Sequence, residues 1–487
     1  MDMKHKLIKT MIIFGAIVSL AACQEHNVIS SSESNSVSSE SNNSSSQDKS
    51  SSQDSSSSEN HETRVYEGVN QLRSPTVNPN SFDYQTYGNN DNYLAFKSKI
   101  QSFSHRLSEA FVKDQYDENK NITISPLSIE MCLGLATYAA NGVTRQELLD
   151  ALGVDFETLN TFYKPFFEQF NITKLSNMDD LASQLLLTNS IWIDKDVEYI
   201  DQGLDDLKNN YCCYSYEADF DGHNKDSNDA IKDFIYEQTK GLINPEMNLS
   251  PATLFVLLNT LYLKDVWNEG GNSLSYTPQS YPFTNGDGQK VRLNLLMGNF
   301  CGGKVIETDD FSSFYTSTDH DYKIYFIKPN EGKTISKVFN KENMAYVLNK
   351  NNYVTVDHEK RESYLTRCFF PEYQADCNLD LKKLFIDNFN VKSLFDKNGS
   401  LTNVCKTPAY VEDFRHIAKL AVDKKGIEGA AVTYMAYAGA AASEYKEVRS
   451  NFIIDKEFGF ILTNAYNDVI FSGVVSNLKQ AIELPYF

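Results

Sequence analysis

No Gly-x-Ser-x-Gly elbow, zinc-ligand pair or phosphate loop occurs in the 487 residues, so no nucleophile, metal centre or nucleotide cradle announces itself. The expectation is a protein that is not an enzyme and needs neither metal nor cofactor. Basic residues are scarce. The 45 Lys and Arg against 65 Asp and Glu leave a formal net charge of -20, which argues against nucleic acid or an anionic membrane as the partner surface and favours solubility. Cysteine is sparse too: the 8 present show no zinc or haem spacing, and Cys212-Cys213 reads as a packing accident, not a redox centre. No internal repeat stands out. The apolar run Met11 to Leu20 is too short to span a bilayer comfortably.

That run suits export. Lys4, Lys6 and Lys9 precede it and Leu20-Ala21-Ala22-Cys23 follows, so residues 1–23 read as a signal peptide. The ending resembles a bacterial lipobox, which implies an acylated Cys23 and a mature protein anchored on the extracellular face of a bacterial cell envelope. An ordinary signal cut near Ala22 is the other reading. Several acyl chains, at about 0.8 kcal/mol per buried methylene, would hold such an anchor in the membrane. With Cys23 lipidated an odd set remains (Cys132, Cys212, Cys213, Cys301, Cys368, Cys377 and Cys405), so at least one is free and the fold should not depend on disulfides. Residues 24–90 read as a tether: Ser-dominated from Gln24 to about Glu59, with almost nothing to bury, then a linker rich in Asn, Pro, Ser and Tyr to Asn90. The globular region is 91–487, large enough for several packed layers or two lobes.

It opens with a helix whose apolar stripe is Leu94, Ile100, Phe103, Leu107, Ala110 and Phe111. Asn121 to Ser128 follows as a short strand running into a helix with Pro126 in its first turn and an end at Asn141-Gly142. Thr144-Arg-Gln-Glu147 reads as a capping box that starts the next helix. Leu185 to Ile193 and Leu254 to Lys264 are buried strands, and a helix of Ile231, Phe234, Ile235 and Gln238 lies between them.

The stretch Gly429 to Ser443 carries no charge and no proline. An exposed run of that kind pairs with whatever strand edge it meets unless the fold has a use for it. A buried helix is one reading, since Ala and Met are helix formers. Against it stand Gly426, Gly429 and Gly439, at about 1 kcal/mol each, and β-branched Ile427, Val432 and Thr433. As a strand, Ile427, Gly429, Ala431, Thr433, Met435, Tyr437 and Gly439 form a face that could enter a core, while Glu428, Ala430, Val432 and Tyr434 stay wet.

Gly426-Ile427-Glu428-Gly429-Ala430-Ala431-Val432-Thr433 resembles the reactive-loop hinge of the serpin family. Independent motifs in the same order also resemble that family: Asn121 with Ser125-Pro126-Leu127-Ser128-Ile129, Asn141-Gly142, Leu152-Gly153, Asn189-Ser190-Ile191-Trp192, Thr239-Lys240-Gly241 and Asn259-Thr-Leu-Tyr-Leu-Lys264 with Trp267. Phe452 to Phe460 and Val469 to Val475 resemble the family's closing strands, and the resemblance covers roughly Asn92 to Leu478. It implies an α+β, serpin-like fold: a large central mixed sheet, further sheets, a helical lobe and an exposed reactive-centre loop at about 424–450. It also implies inhibition of serine or cysteine endopeptidases by suicide-substrate trapping through a covalent acyl-enzyme, in a monomer with no nucleic-acid partner. The polar latch beneath the sheet would be Ser125, Ser128, Asn259 and His416, and Trp267 would stand where insertion begins.

The family's hinge-to-bond distance places the cut between Ala440 and Ala441, which suits an elastase-like or subtilisin-like protease. Tyr437 and Lys446 are the chymotrypsin-like and trypsin-like alternatives. Three departures are present: Lys424 where the family usually has Glu, Ile427 for Thr, and Lys456-Glu457-Phe458 without the usual proline. The second reading is a non-inhibitory serpin-fold surface protein that binds a ligand or host molecule.

Overall fold

The computed structural model describes residues 64–175, 181–267, 273–396, 400–406, 409–411, 414–427 and 445–479. The strands, in chain order, begin with β1 (Val69–Arg73), β2 (Asn121–Ile124), β3 (Ile172–Leu175), β4 (Leu181–Asp194), β5 (Cys213–Ala218) and β6 (Phe255–Val266). Next come β7 (Tyr281–Thr284), β8 (Lys290–Leu293), β9 (Leu296–Gly302), β10 (Ile306–Glu307), β11 (Phe311–Ser317), β12 (Lys323–Pro329) and β13 (Val356–Asp357). The last are β14 (Glu362–Phe370), β15 (Tyr373–Asp380), β16 (Arg415–Val422), β17 (Gly426–Ile427), β18 (Lys446–Ile453), β19 (Phe458–Thr463) and β20 (Val469–Val475). The helices of the N-terminal half are α1 (Tyr84–Tyr87), α2 (Asp91–Gln115), α3 (Pro126–Ala139), α4 (Gly142–Leu152), α5 (Phe156–Gln169), α6 (Asp201–Asn210) and α7 (Asn224–Gln238).

One large mixed sheet runs in the order β1-β5-β4-β6-β17-β16-β15-β2-β20-β19-β12-β11-β10, and β3 pairs with β4. A second sheet joins β13, β14, β18 and β9, and β7 and β8 form a hairpin. The long apolar runs become the sheet's centre because both of their faces are covered. On one side lies α3, every residue of which is buried. On the other, Ile231, Phe234 and Ile235 of α7 pack with Trp192, Tyr216, Val256 and Leu258. β4 and β6 pair antiparallel from Gln184↔Lys264 to Ile193↔Phe255, which fixes β6 as a rigid wall.

The architecture is the α+β one expected, with corrections at the edges. Composition predicts a tether up to residue 90, yet the compact unit begins at Tyr66 and β1 adds to the sheet beside β5, with Val69 opposite Ala218. An edge strand needs hydrogen bonds on one side only and a single apolar contact or two, here Val69 and Leu72, so polar composition hides it. The expected capping box does not form. α4 starts at Gly142, whose φ of 54° suits a residue without Cβ, and the Glu147 carboxylate instead accepts from Lys392 and Ser393 backbone N–H groups at 2.8 and 2.7 Å. In α2, Leu94 is 46% exposed, and Tyr93 and Phe96 take its place on the buried stripe. The segment read as one closing strand, Phe452 to Phe460, is split between β18 and β19. All seven described cysteines are buried and unlinked. Among the described residues no helix is long and apolar enough to cross a membrane.

Candidate functional site

β6 and β16 face one another across a slot. β4 holds the outer side of β6 and β15 holds β16 along its whole length. Their facing edges meet through a two-residue strand at the top, where Gly426 pairs with Val266 and Ile427 with both Asp265 and Val422. Among the described residues no strand pairs with the facing edge of β6 below Asp265 or of β16 below Val422. A cavity of about 190 Å³ lies between them, lined by Ser128 and Cys132 of α3, Val256 to Leu261 of β6, Phe414 to Ile417 and the α7 residues Ile231 and Ile235.

The top of the slot is built to hold a strand flush against β6. A Cβ on Gly426 would sit 2.1 Å from the Asp265 carbonyl oxygen, so only glycine lets the backbones approach this closely. Ile427 is fully buried, in agreement with its assignment to the core-entering face. Trp267, 1% exposed, donates its Nε1–H to the Asp423 carbonyl at 2.6 Å, and the Asp423 side chain accepts from the Lys425 and Gly426 amides. The indole therefore ties the end of β6 to the turn that delivers β17. Lys424 sits on that turn, and its amide donates to Glu372 at 2.8 Å. Asp265 is fully buried, with its Oδ1 2.6 Å from His320 Nδ1 and its Oδ2 accepting from the His320 amide.

Half-way down lie the latch residues, in two separate groups. His416 Nε2 accepts the Ser125 amide proton at 3.1 Å. Ser125 caps α3 by accepting from the Ser128 amide, and its hydroxyl donates to Ile470 O at 2.8 Å. Accepting through Nε2 in a buried setting keeps the imidazole neutral, and burial pulls its pKa down to about 4. Asn259 stands on the opposite wall and donates to Asn189 Oδ1 at 2.9 Å, while Asn189 in turn donates to Tyr163 Oη and Tyr211 O. The expectation that the four would satisfy one another is thus corrected. The slot separates Asn259 from the Ser125–Ser128–His416 group and, among the described residues, leaves Asn259 Oδ1 buried with no partner, which costs about 1–3 kcal/mol for as long as it lasts.

Sequence reasoning named Asn189 only within a strand motif and missed Asp265 and His320. An Asn inside the apolar run of β4 and an Asp near the end of β6 were the available signals, since a polar residue on a doubly covered strand must have a partner. Of the remaining site residues named from sequence, Glu428, Gly429, Ala430, Ala431, Val432, Thr433, Ala440, Ala441 and Cys23 lie outside the described residues.

The family model described as "Serpin (serine protease inhibitor)" matches residues 98–478. Iripin-1 of Ixodes ricinus is 26% identical over 373 residues, which span 74% of this chain and 89% of that protein. Among solved structures, the native state of the thermophilic serpin tengpin superposes with a TM-score of 0.63 at 18% identity, over 84% of this chain and 98% of that one. Thyroxine-binding globulin in complex with thyroxine gives a TM-score of 0.63 at 18% identity, over 79% and 99%.

Proposed function

The chain belongs to the serpin family, and from that premise we propose that it inhibits serine endopeptidases, with cysteine endopeptidases as a second class, as a single-use trap. The observation that carries the reading is the slot with β17 already seated in its mouth. If the inserted segment kept the β17 register, Gly429 would fall between Leu263 and Leu420, Ala431 between Leu261 and Ala418, and Thr433 between Asn259 and His416. Those neighbours on β6 and β16 face the core, so small side chains would fall where space is least. The Thr433 hydroxyl would then come beside the Asn259 oxygen.

In the proposed reaction a protease takes the loop as substrate. Its nucleophile adds to the Ala440 carbonyl, the Ala440–Ala441 bond breaks, and Ala441 leaves as a free amine while Ala440 stays esterified to the enzyme. Residues 428–440 then enter the slot and gain ladder bonds to both walls, carrying the protease along. Deacylation stalls because a small misplacement of triad and oxyanion hole costs about 100-fold in rate. The native fold is in this sense kinetically held above a more stable inserted one. We further propose that Cys23 is acylated and tethers the inhibitor to the outside of a bacterial envelope, a reading that rests on the leader sequence and is checked by loss of membrane fractionation in C23S.

The test of the trap is to mix the chain from Asn60 onward with elastase, subtilisin, chymotrypsin and trypsin, then analyse denaturing gels and intact mass. A covalent adduct with a released fragment beginning at Ala441 is expected. Clean cleavage with no adduct and no gain in thermal stability would sink the trap and favour the non-inhibitory reading. Lys424 at the hinge, and a fold shared with thyroxine-binding globulin, are what support that second reading.

A further inference from the structure

On the outer face of the second sheet, Phe300 of β9 pairs opposite Arg367 of β14, and Leu365 of β14 pairs opposite Arg449 of β18. Alternate residues of β14 (Tyr364, Thr366, Cys368 and Phe370) point into the core, which turns Arg367 and Leu365 outward. Both guanidiniums rest on one ring. The Arg367 Cζ is 4.1 Å and the Arg449 Cζ 5.0 Å from the Phe300 centroid, so the two charges lie within about 9 Å of each other. Arg449 is 62% exposed and is held at its Nε by Glu447 at 2.6 Å. Among the described residues Arg367 has no carboxylate partner, and its Nε is shut away from solvent without a hydrogen-bond partner. Burial and the charge of Arg449 both push its pKa down. A like-charged pair on a chain of net charge -20, with one member uncompensated, is the arrangement an incoming anion would relieve.

We propose that Phe300, Arg367 and Arg449 form a docking site for a carboxylate-bearing surface patch of the protease that engages the loop. The inference rests on the protease-binding reading above. β18 continues directly from residues 428–444, and Arg449 is eight residues beyond Ala441, at most about 29 Å away in full extension. A protease seated on the loop is therefore within reach of this face, and its acidic patch would set the association rate and the choice among enzymes of like active site.

The probe is elastase in two forms, unmodified and with its lysines succinylated, which keeps the catalytic groups and makes the surface acidic. Association is measured at low salt for the native chain, for R367A/R449A and for K225A/K383A, which removes the same net charge from exposed lysines on α7 and on the helix Lys382–Phe389. R367A/R449A should lose about ten-fold in association rate toward succinylated elastase and little toward the unmodified form, and K225A/K383A should match the native chain. The gap should close near 1 M salt, where the screening length is about 3 Å. Repeating the series with elastase whose active-site serine is converted to dehydroalanine reads docking with no trapping step. A docking gap there, together with no covalent adduct from active elastase, would leave this site standing while the trap falls. Equal losses in both double variants, a gap that persists in high salt, or heparin binding lost in R367A/R449A at unchanged elastase rates would each overturn the proposal.

Discussion

The register at the top of the slot predicts a sharp parity rule. Ile427 opposite Asp265 and Val422 sets the phase, and a one-residue shift in a strand moves a side chain to the other face. Ala431 would then point between Leu261 and Ala418, which are 7% and 3% exposed. Ala430 would point to the opposite face beside Lys419, which is partly open to solvent. Ala431→Glu buries a carboxylate with no partner, a penalty of several kcal/mol even after relaxation. If about 3 kcal/mol of that enters the insertion barrier, insertion slows roughly 100-fold, deacylation wins, and most encounters end in cleaved inhibitor and free protease. Ala430→Glu places its charge next to an amine and should trap nearly as well as the native sequence. The assay is a stoichiometric titration of elastase with residual activity and adduct bands read together. Equal impairment of both variants, or the reverse order, would refute the register and with it the assignment of Thr433 to the Asn259–His416 level.

Three more outcomes are expected. His416, held at a pKa of about 4 against an ordinary 6.5, contributes stability that is complete above pH 6.5 and is lost as pH falls through 4, about 3 kcal/mol in all. His105 titrates in the same direction by burial, and buried Glu130, raised to about 8, acts in the opposite sense, its contribution complete below pH 4.5 and lost through pH 8. The comparison that isolates His416 is therefore denaturant unfolding of native chain and H416N from pH 7 to 4, with the native chain falling more steeply. Gly426→Ala drives a methyl into the Asp265 carbonyl at 2.1 Å and should lower stability by about 1–3 kcal/mol while raising amide exchange at Ile427. A chain beginning at Ser74 loses β1, bares the β5 edge and should self-associate on sizing columns, whereas one beginning at Arg64 should not.

Local chemistry made the core elements readable: Pro126 after a polar cap, Gly241 in a turn at φ 83°, apolar runs long enough for β4 and β6. Of the hinge face only Ile427 lies among the described residues, and its burial agrees with the phase assigned to it. What depended on distant partners was not. β1 is defined by β5, some 145 positions later in the chain. Asn121 looked like one polar residue beginning a strand, yet its side chain accepts from the Ser476 and Asn477 amides and donates to Gln374 O, joining β2 to β15 and the end of β20. The split latch followed the same logic: Asn259 and His416 were each recognisable, but only their placement on opposite walls shows that the slot, and not a bond between them, is what they share.

The two-residue strand β17 has a kinetic meaning beyond its hydrogen bonds. A segment searching for a sheet edge must first lose the entropy of closing a loop and choosing a partner, before any contact rewards it. Here that nucleus exists in advance, joined to both walls, so each residue that follows would only extend a ladder already begun. Entry would then proceed as propagation, at a speed set by how soon the far end of the segment is let go. In the proposed trap cleavage would be the event that lets it go, and the chain would spend no time finding the way in.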